Sequence, residues 1–162
     1  MILEPTLRRY EFFRFVLTTD QLNLFIGASK QTVIFELEVL PVLVARHLWS
    51  DYLANRSFFC FVDNESAKAA LTASYSSNAA VVQLLTSVSS LDVADGALAW
   101  YERVPTLSNP ADAPSRGEIP PALSQWPAPR EINTNQVLKD IILVFSAGLA
   151  VGSEVRSEFG PV

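Results

Sequence analysis

The residues of this sequence that could do chemistry are carboxylates at the ends of predicted elements. Asp63 directly follows the apolar run over residues 57–62, Asp112 opens a predicted helix after the next strand, and Glu38 lies in the first half of the longest predicted helix. Hard cations such as Mg²⁺ need several oxygen ligands, so convergent carboxylates would suit Mg²⁺. Taken alone, each acid is also explained as a solvated side chain or a helix cap.

Other common catalytic motifs are missing. The sequence has one histidine, His47, one cysteine, Cys60, no glycine-rich phosphate loop and no G-x-S-x-G. The sequence therefore lacks the residues that P-loop, zinc and serine-hydrolase sites require. We expect His47 to be structural or solvated, and Cys60, within an apolar run, to be a buried and unreactive thiol.

Composition indicates one folded domain. The chain has 162 residues, of which 49% are hydrophobic and 18% charged, and its formal net charge is −5. A contact with nucleic acid must therefore be local or use metal ions, because no global attraction to a polyanion exists. The apolar stretch at residues 141–151 is shorter than the about 20 residues that cross a bilayer. We expect no membrane segment and an intracellular (cytoplasmic or nuclear) location.

The first third of the chain predicts strands followed by a long helix. Residues 10–17 are aromatic and β-branched, which favours a strand, and residues 20–26 favour a turn or a second strand. Apolar residues recur at spacings of three and four over 33–53, the pattern of a core-facing helix. Because a proline deep inside a helix removes a hydrogen bond, Pro41 means that the helix either begins near Glu36 or kinks.

The middle third predicts an alternation of strands and helices. The continuous apolar run at 57–62 is typical of a strand buried on both faces, placed centrally or next to the centre of a sheet. Helices are predicted over 65–72 and 79–92 and a strand over 97–104, with Gly96 ending the second helix.

The last third is rich in proline. Asn109 is the predicted N-cap of the helix that holds Asp112. We place an α/β domain at 1–116, a Pro-rich linker or wrapping extension at 117–134, and a C-terminal helix and tail at 135–162, with the helix itself over about 135–150.

Three blocks of sequence carry a family resemblance. They are VIFELEVLPVLVA at 33–45, FVDNESA at 61–67 and ERVPTLSNPADAPSR at 102–116. In this order they resemble the ribonuclease H-like domain of retroelement reverse-transcriptase polyproteins, over residues 31–116. The resemblance implies an α/β fold in which helices flank a mixed sheet.

The resemblance also implies a site. In that family a helix carries a Glu, a strand ends in an Asp, and another Asp opens a later helix; these match Glu38, Asp63 and Asp112. Glu36 competes with Glu38, but Glu38 opens the run EVLPVLVA, which matches the family's helix better. The implied activity is hydrolysis of RNA in RNA–DNA hybrids by two Mg²⁺ ions about 4 Å apart, which activate water and stabilise the leaving 3′-oxygen. The implied partner is an upstream reverse-transcriptase domain of the same polyprotein.

The chain departs from the family at its start. Family members begin with a central strand whose Asp bridges both metal ions, whereas residues 1–5 match the second strand. The predicted fold is therefore N-terminally truncated and lacks the bridging acid. Asp20 and Glu4 are the unclaimed acids that could replace it, and residues 105–111 lack the loop histidine of some members.

Three hypotheses follow. The chain is a ribonuclease H-like module that is inactive by itself, or a non-catalytic relic or interaction module with the same fold, or an unrelated small α/β binding domain. The third requires Glu38, Asp63 and Asp112 to lie far apart.

Overall fold

Two small sheets and seven α-helices make up the part of the chain that the computed structural model describes, residues 1–25 and 34–159. The predicted α/β class is therefore confirmed. The strands are β1 (Ile2–Glu4), β2 (Arg9–Phe12), β3 (Ser57–Val62), β4 (Leu98–Arg103) and β5 (Arg130–Glu131). The helices are α1 (Thr19–Asn23), α2 (Ile34–Leu48), α3 (Ser50–Leu53), α4 (Glu65–Ala73), α5 (Ala79–Asp95), α6 (Asp112–Ser115) and α7 (Asn135–Phe159).

The first sheet has the order β1–β2–β5. Strands β1 and β2 are antiparallel, with Leu3 opposite Tyr10, and β5 is parallel to β2, with Arg130 opposite Glu11. The predicted linker at 117–134 therefore adds a strand to the N-terminal hairpin.

The second sheet consists of β3 and β4, which are parallel with Phe59 opposite Trp100. The predicted strands at 57–62 and 97–104 are confirmed. The prediction that β3 is central and buried on both faces is wrong. Phe59 is 70% exposed and Trp100 is 65% exposed, because the core packs against the opposite face, which carries Cys60 and Tyr101.

The predicted helix at 33–53 forms as α2 and α3, which are separated at Trp49. Val33 lies outside the described residues. Because α2 already begins at Ile34, Pro41 lies within the helix and not in its first turn. It therefore has no N–H to donate to the carbonyl of Leu37.

Helices α4 and α5 confirm the predictions for 65–72 and 79–92. Each begins after an asparagine whose side-chain oxygen accepts a backbone hydrogen bond: Asn64 from Ala67 at 3.0 Å and Asn78 from Ala80 at 3.0 Å. Gly96 ends α5 in the left-handed conformation with φ of 59°, as its position in the sequence indicates.

The prediction of a turn or strand at 20–26 is wrong for residues 20–23, which belong to α1; a turn follows at residues 24–25, and Ile26 lies outside the described residues. Thr18 and Gln21 form a capping box, in which each side chain accepts the other residue's backbone N–H at 3.2 and 2.9 Å. Threonine followed three residues later by glutamine is the sequence signal for this start.

The core joins both ends of the chain. Leu138, Ile141 and Phe145 of α7 are buried in the same cluster as α2, α4 and α5. The ring of Phe145 lies 4.7 Å from that of Phe25. Residues on both sides of the predicted boundary at 116 therefore share one core. No helix within the described residues has the length and apolar character needed to cross a membrane.

A buried glutamate ties the first sheet to the end of α2. Glu11 is 2% exposed and accepts a hydrogen bond from the indole N–H of Trp49 at 3.0 Å. It also pairs with Arg130 at 2.9 Å and with Arg9. Burial favours its neutral form, but these three partners outweigh burial and hold the pKa of Glu11 below its usual value.

Candidate functional site

Glu38 and Asp63 meet where α2 passes the carboxyl end of β3. Glu38 lies in the first half of α2, and Asp63 directly follows β3. Their carboxyl groups are in hydrogen-bonding contact. Two of the three acids predicted from the sequence are therefore brought together, although 25 positions separate them in the chain.

The environment of Glu38 beside Asp63 favours the protonated form of Glu38. Burial raises the pKa of Glu38 first, and the charge and hydrogen bond of Asp63 raise it further, to about 7. In the described part of the chain, the charge that acts on Glu38 is that of Asp63, and no lysine or arginine offsets it. Near neutral pH a proton on Glu38 therefore reduces the repulsion between the two carboxyl groups.

The position of Asp63 follows from the elements on either side of it. The parallel ladder continues to the end of β3, where the backbone N–H of Val104 donates to the carbonyl of Val62 at 2.9 Å. The next residue, Asn64, caps α4. Asp63 is thus held between a paired strand and a capped helix, which leaves its backbone little freedom.

Glu36, the competitor of Glu38 in the sequence, has a different environment. Its side chain is fully buried, and the side-chain amide of Asn78 donates a hydrogen bond to it at the start of α5. The contact with Asp63 belongs to Glu38. The assignment of Glu38 as the site glutamate stays a prediction.

Asp112 is the first residue of α6, after a 3-10 turn at Thr106–Ser108 that follows β4. Among the described residues, no three histidine, cysteine, aspartate or glutamate side chains converge closely enough to hold a metal ion. The structure thus forms the Glu38–Asp63 pair without a third ligand from Asp112, Asp20 or Glu4. The role of Asp112 as a ligand stays a prediction.

Asn109 does not cap α6 as predicted, because the helix begins later and its N-cap position is Ala111. The Asn109 side chain nevertheless accepts a hydrogen bond from the backbone N–H of Ala111 at 3.0 Å, and its carbonyl accepts one from Asp112 at 3.2 Å. Asparagine commonly closes such a turn by bonding a backbone group two residues on. Asn109 therefore orders the turn that leads to Asp112.

The cationic side chains near the end of the second sheet are paired with other acids. Lys68 on α4 contacts Glu102 on β4, and Arg103 lies 3.9 Å from Glu65. The side-chain hydrogen bond from Lys68 lowers the pKa of Glu102. These pairs link α4 to β4 and leave the charge of the Glu38–Asp63 pair uncompensated.

The two other reactive residue types do not extend the site. Burial raises the pKa of Cys60 to about 11, which agrees with an unreactive thiol. His47 is exposed on α2.

No match to this chain is found among protein families, curated proteins or solved structures. The resemblance to ribonuclease H-like domains therefore stays a prediction from the sequence.

Proposed function

We propose that this chain is the ribonuclease H-like part of a retroelement protein and that Glu38 and Asp63 hold Mg²⁺ in the complete protein. The observation that carries the proposal is the contact between these two carboxyl groups at the carboxyl end of a strand. A cation that displaces the proton of Glu38 would offset the repulsion between the two ionised carboxylates. Two Mg²⁺ ions in such a site would activate water and stabilise the leaving 3′-oxygen.

Asp112 is the third ligand in this proposal. It follows β4, whose last residue Arg103 lies opposite Val62 in the second sheet. The chain therefore approaches α6 from the same end of the sheet as Asp63. Asp112 would join the pair when metal ions add the positive charge that three carboxylates need.

The open edge of β3 supports a larger sheet in the complete protein. The carbonyls of Arg56 and Val62 accept hydrogen bonds from Leu98 and Val104 of the neighbouring chain segment. Because alternate residues of a strand bond to opposite sides, the backbone groups of Phe59 and the other odd-numbered residues point away from β4. In the described residues no strand pairs with this edge.

A strand between β1 and β3 would join the two sheets. The amino group of Met1 lies close enough to the Cys60 thiol for their charges to interact, so β1 begins near β3. A strand parallel to β3 would end beside Asp63. An acid at its end would supply the metal-bridging ligand that the resemblance requires.

RNA–DNA hybrid is the proposed substrate, with an upstream reverse-transcriptase domain as the partner in the same polyprotein. The net charge of −5 opposes binding of a polyanion. Recognition would therefore depend on the bound metal ions and on contacts to minor-groove shape and 2′-hydroxyls.

A second candidate is a non-catalytic interaction module with the same fold. The observation that favours it is the exposed apolar face of the second sheet. Leu98 and Phe61 are exposed there beside Phe59 and Trp100, and such a face suits contact with another protein. This candidate predicts the same fold without Mg²⁺ binding.

Paramagnetic NMR separates the two candidates. Added Mn²⁺ should broaden the resonances of Glu38, Asp63 and Asp112 first in the wild-type chain, and broadening at these residues should be lost in Asp63→Asn. Broadening spread evenly over the surface acids would contradict the metal site.

A cleavage assay addresses activity. The isolated chain should cleave RNA–DNA hybrid no faster than Asp63→Asn in Mg²⁺, since the bridging acid is missing. Robust cleavage that Asp63→Asn abolishes would support the metal site, but it would show that another acid, Asp20 or Glu4, has been recruited.

A further inference from the structure

Two glutamates near the start of α2 face different parts of the molecule. Positions two apart on an α-helix point about 200° away from each other. Glu38 contacts Asp63 after β3, and Glu36 is buried against the start of α5. The rotation of α2 about its axis therefore decides whether Glu38 reaches Asp63.

Asn78 connects Glu36 to α5 with a defined geometry. Its side-chain oxygen accepts the backbone N–H of Ala80 at 3.0 Å, as the cap of α5. Because the oxygen is used there, the side-chain NH₂ faces Glu36 and donates to it. The cap of α5 thus orients the amide group that holds α2.

A second polar contact joins the same two helices at their other ends. Arg46 is 2% exposed, and its Nε donates to Asp92 at 2.7 Å while Nη2 donates to Asp95 at 3.0 Å. Helices α2 and α5 therefore run parallel, with a directional contact near each end and apolar packing between. Apolar packing is non-directional, so these contacts resist rotation of α2.

We infer that Asn78 is a positioning residue for the acid pair: its hydrogen bond to Glu36 holds the first turns of α2 in the rotation that places Glu38 against Asp63. Glu36 is about 3 Å from Glu38 along the helix axis, whereas Arg46 is about 12 Å away. The contact with Asn78 is thus closer to Glu38 along the helix than the contacts of Arg46 are. The inference about the rotation of α2 is independent of the proposed function. Its consequence for Mg²⁺ binding rests on the proposed function.

The test uses Asn78→Ser. Serine is a strong N-cap residue, so α5 keeps its cap, but the amide donor to Glu36 is removed. The control is Asp92→Asn, which weakens the distant contact with Arg46. NMR measures two quantities in each protein: the nuclear Overhauser contact between the side chains of Glu38 and Asp63 without metal, and the Mg²⁺ concentration that half-saturates the shifts of their amides.

Asn78→Ser should lose the Overhauser contact and raise the half-saturating Mg²⁺ concentration about tenfold, the low end of what loss of a supporting hydrogen bond costs a metal site. Asp92→Asn should keep both quantities near the wild-type values while its unfolding midpoint falls. Unchanged values in Asn78→Ser, or equal changes in both variants, would overturn the inference.

The two failures can be told apart. If wild type shows no response to Mg²⁺ but Asn78→Ser still loses the Overhauser contact, the metal site fails and the positioning role stands. If Mg²⁺ binds equally well to both and the contact persists, the positioning role fails and the metal site stands. Asn78→Asp also keeps the cap and replaces the donor with a group that repels Glu36, so it repeats the test if the serine variant does not fold.

Discussion

Two glutamates in this protein have opposite environments. Glu11, in the first sheet, is surrounded by Arg9, Arg130 and the indole N–H of Trp49, and its pKa is lowered despite its burial. Glu38, beside the second sheet, is half-buried next to Asp63, and its pKa is raised to about 7. The first carboxylate has its counter-charges within the chain, whereas the second meets a like charge.

The contrast separates an acid that stabilises the fold from an acid available for chemistry. The hydrogen bonds of Glu11 join β2, β5 and the end of α2, so this acid is explained by structure alone. The contact of Glu38 with Asp63 disfavours the ionised form of Glu38, so the fold keeps a carboxyl group with a raised pKa at this position. Perturbed carboxyl groups of this kind concentrate at functional sites.

The largest expected effect is on Glu11. Glu11→Gln should lower the free energy of unfolding by about 2 kcal/mol, because one amide oxygen cannot accept from Trp49 and both arginines, and a buried donor is left unpaired. Urea unfolding at neutral pH measures this change. Glu38→Gln is the matched control and should leave stability unchanged or raise it; equal losses in the two variants would break the comparison.

The second effect is on the pH dependence of stability. In the unfolded chain Glu38 loses its proton near the ordinary glutamate pKa of 4.5, but in the fold it holds the proton to about 7. The folded state therefore binds more protons in this interval, so the pair's contribution to stability falls as pH rises through it. Relative to wild type, Glu38→Gln should gain about 1 kcal/mol between pH 5 and pH 8.

The contribution of Glu11 to stability should have the opposite pH dependence. Because its folded pKa is lowered, its stabilising contribution is present above the unfolded pKa and is lost as pH falls through the folded value. The destabilisation caused by Glu11→Gln should therefore shrink in acid. Urea midpoints of both variants across pH test the two signs together, and parallel curves would contradict the difference in environment.

The third effect is stabilisation by Mg²⁺. At a concentration equal to its dissociation constant, Mg²⁺ should stabilise the wild-type chain by about 0.4 kcal/mol. Glu38→Gln and Asp63→Asn should lose this gain, whereas Glu11→Gln should keep it. Thermal unfolding with Mg²⁺, against an equal ionic strength of K⁺, measures it, and a gain shared by all variants would indicate general screening.

The smallest effect concerns Arg130, which is 63% exposed where it pairs with Glu11. Arg130→Met should cost about 0.3 kcal/mol, because exposed ion pairs contribute little and Trp49 still bonds to Glu11. A loss near that of Glu11→Gln would mean that β5 pairing depends on this arginine. The measurement is the urea midpoint at neutral pH.

The individual helices and strands are largely predictable, because the residues that specify each of them lie close together in the sequence. Residues 57–62 and 79–92 carry their strand and helix patterns within a few positions, and Asn78 and Gly96 mark the ends of α5. The miss at α1 is also local: the capping box of Thr18 is visible in the sequence, but the apolar alternation around it favours a strand. The helix at Asp112 is a single turn, too short for its start to be read from one asparagine.

The candidate acids are also visible in the sequence, because Asp63 ends a strand and Glu38 lies on the long helix whatever the tertiary fold. The contact between these two acids is not visible in the sequence, since it requires a rotation of α2 that Asn78, at the start of the distant helix α5, supports through its hydrogen bond to Glu36. The exposed face of β3 and the pairing of β5 with β2 also depend on contacts between segments that are distant in the chain. Residue type and spacing set the local conformation, but the partners of a side chain depend on packing between distant segments, and this protein's acid pair exists only through that packing.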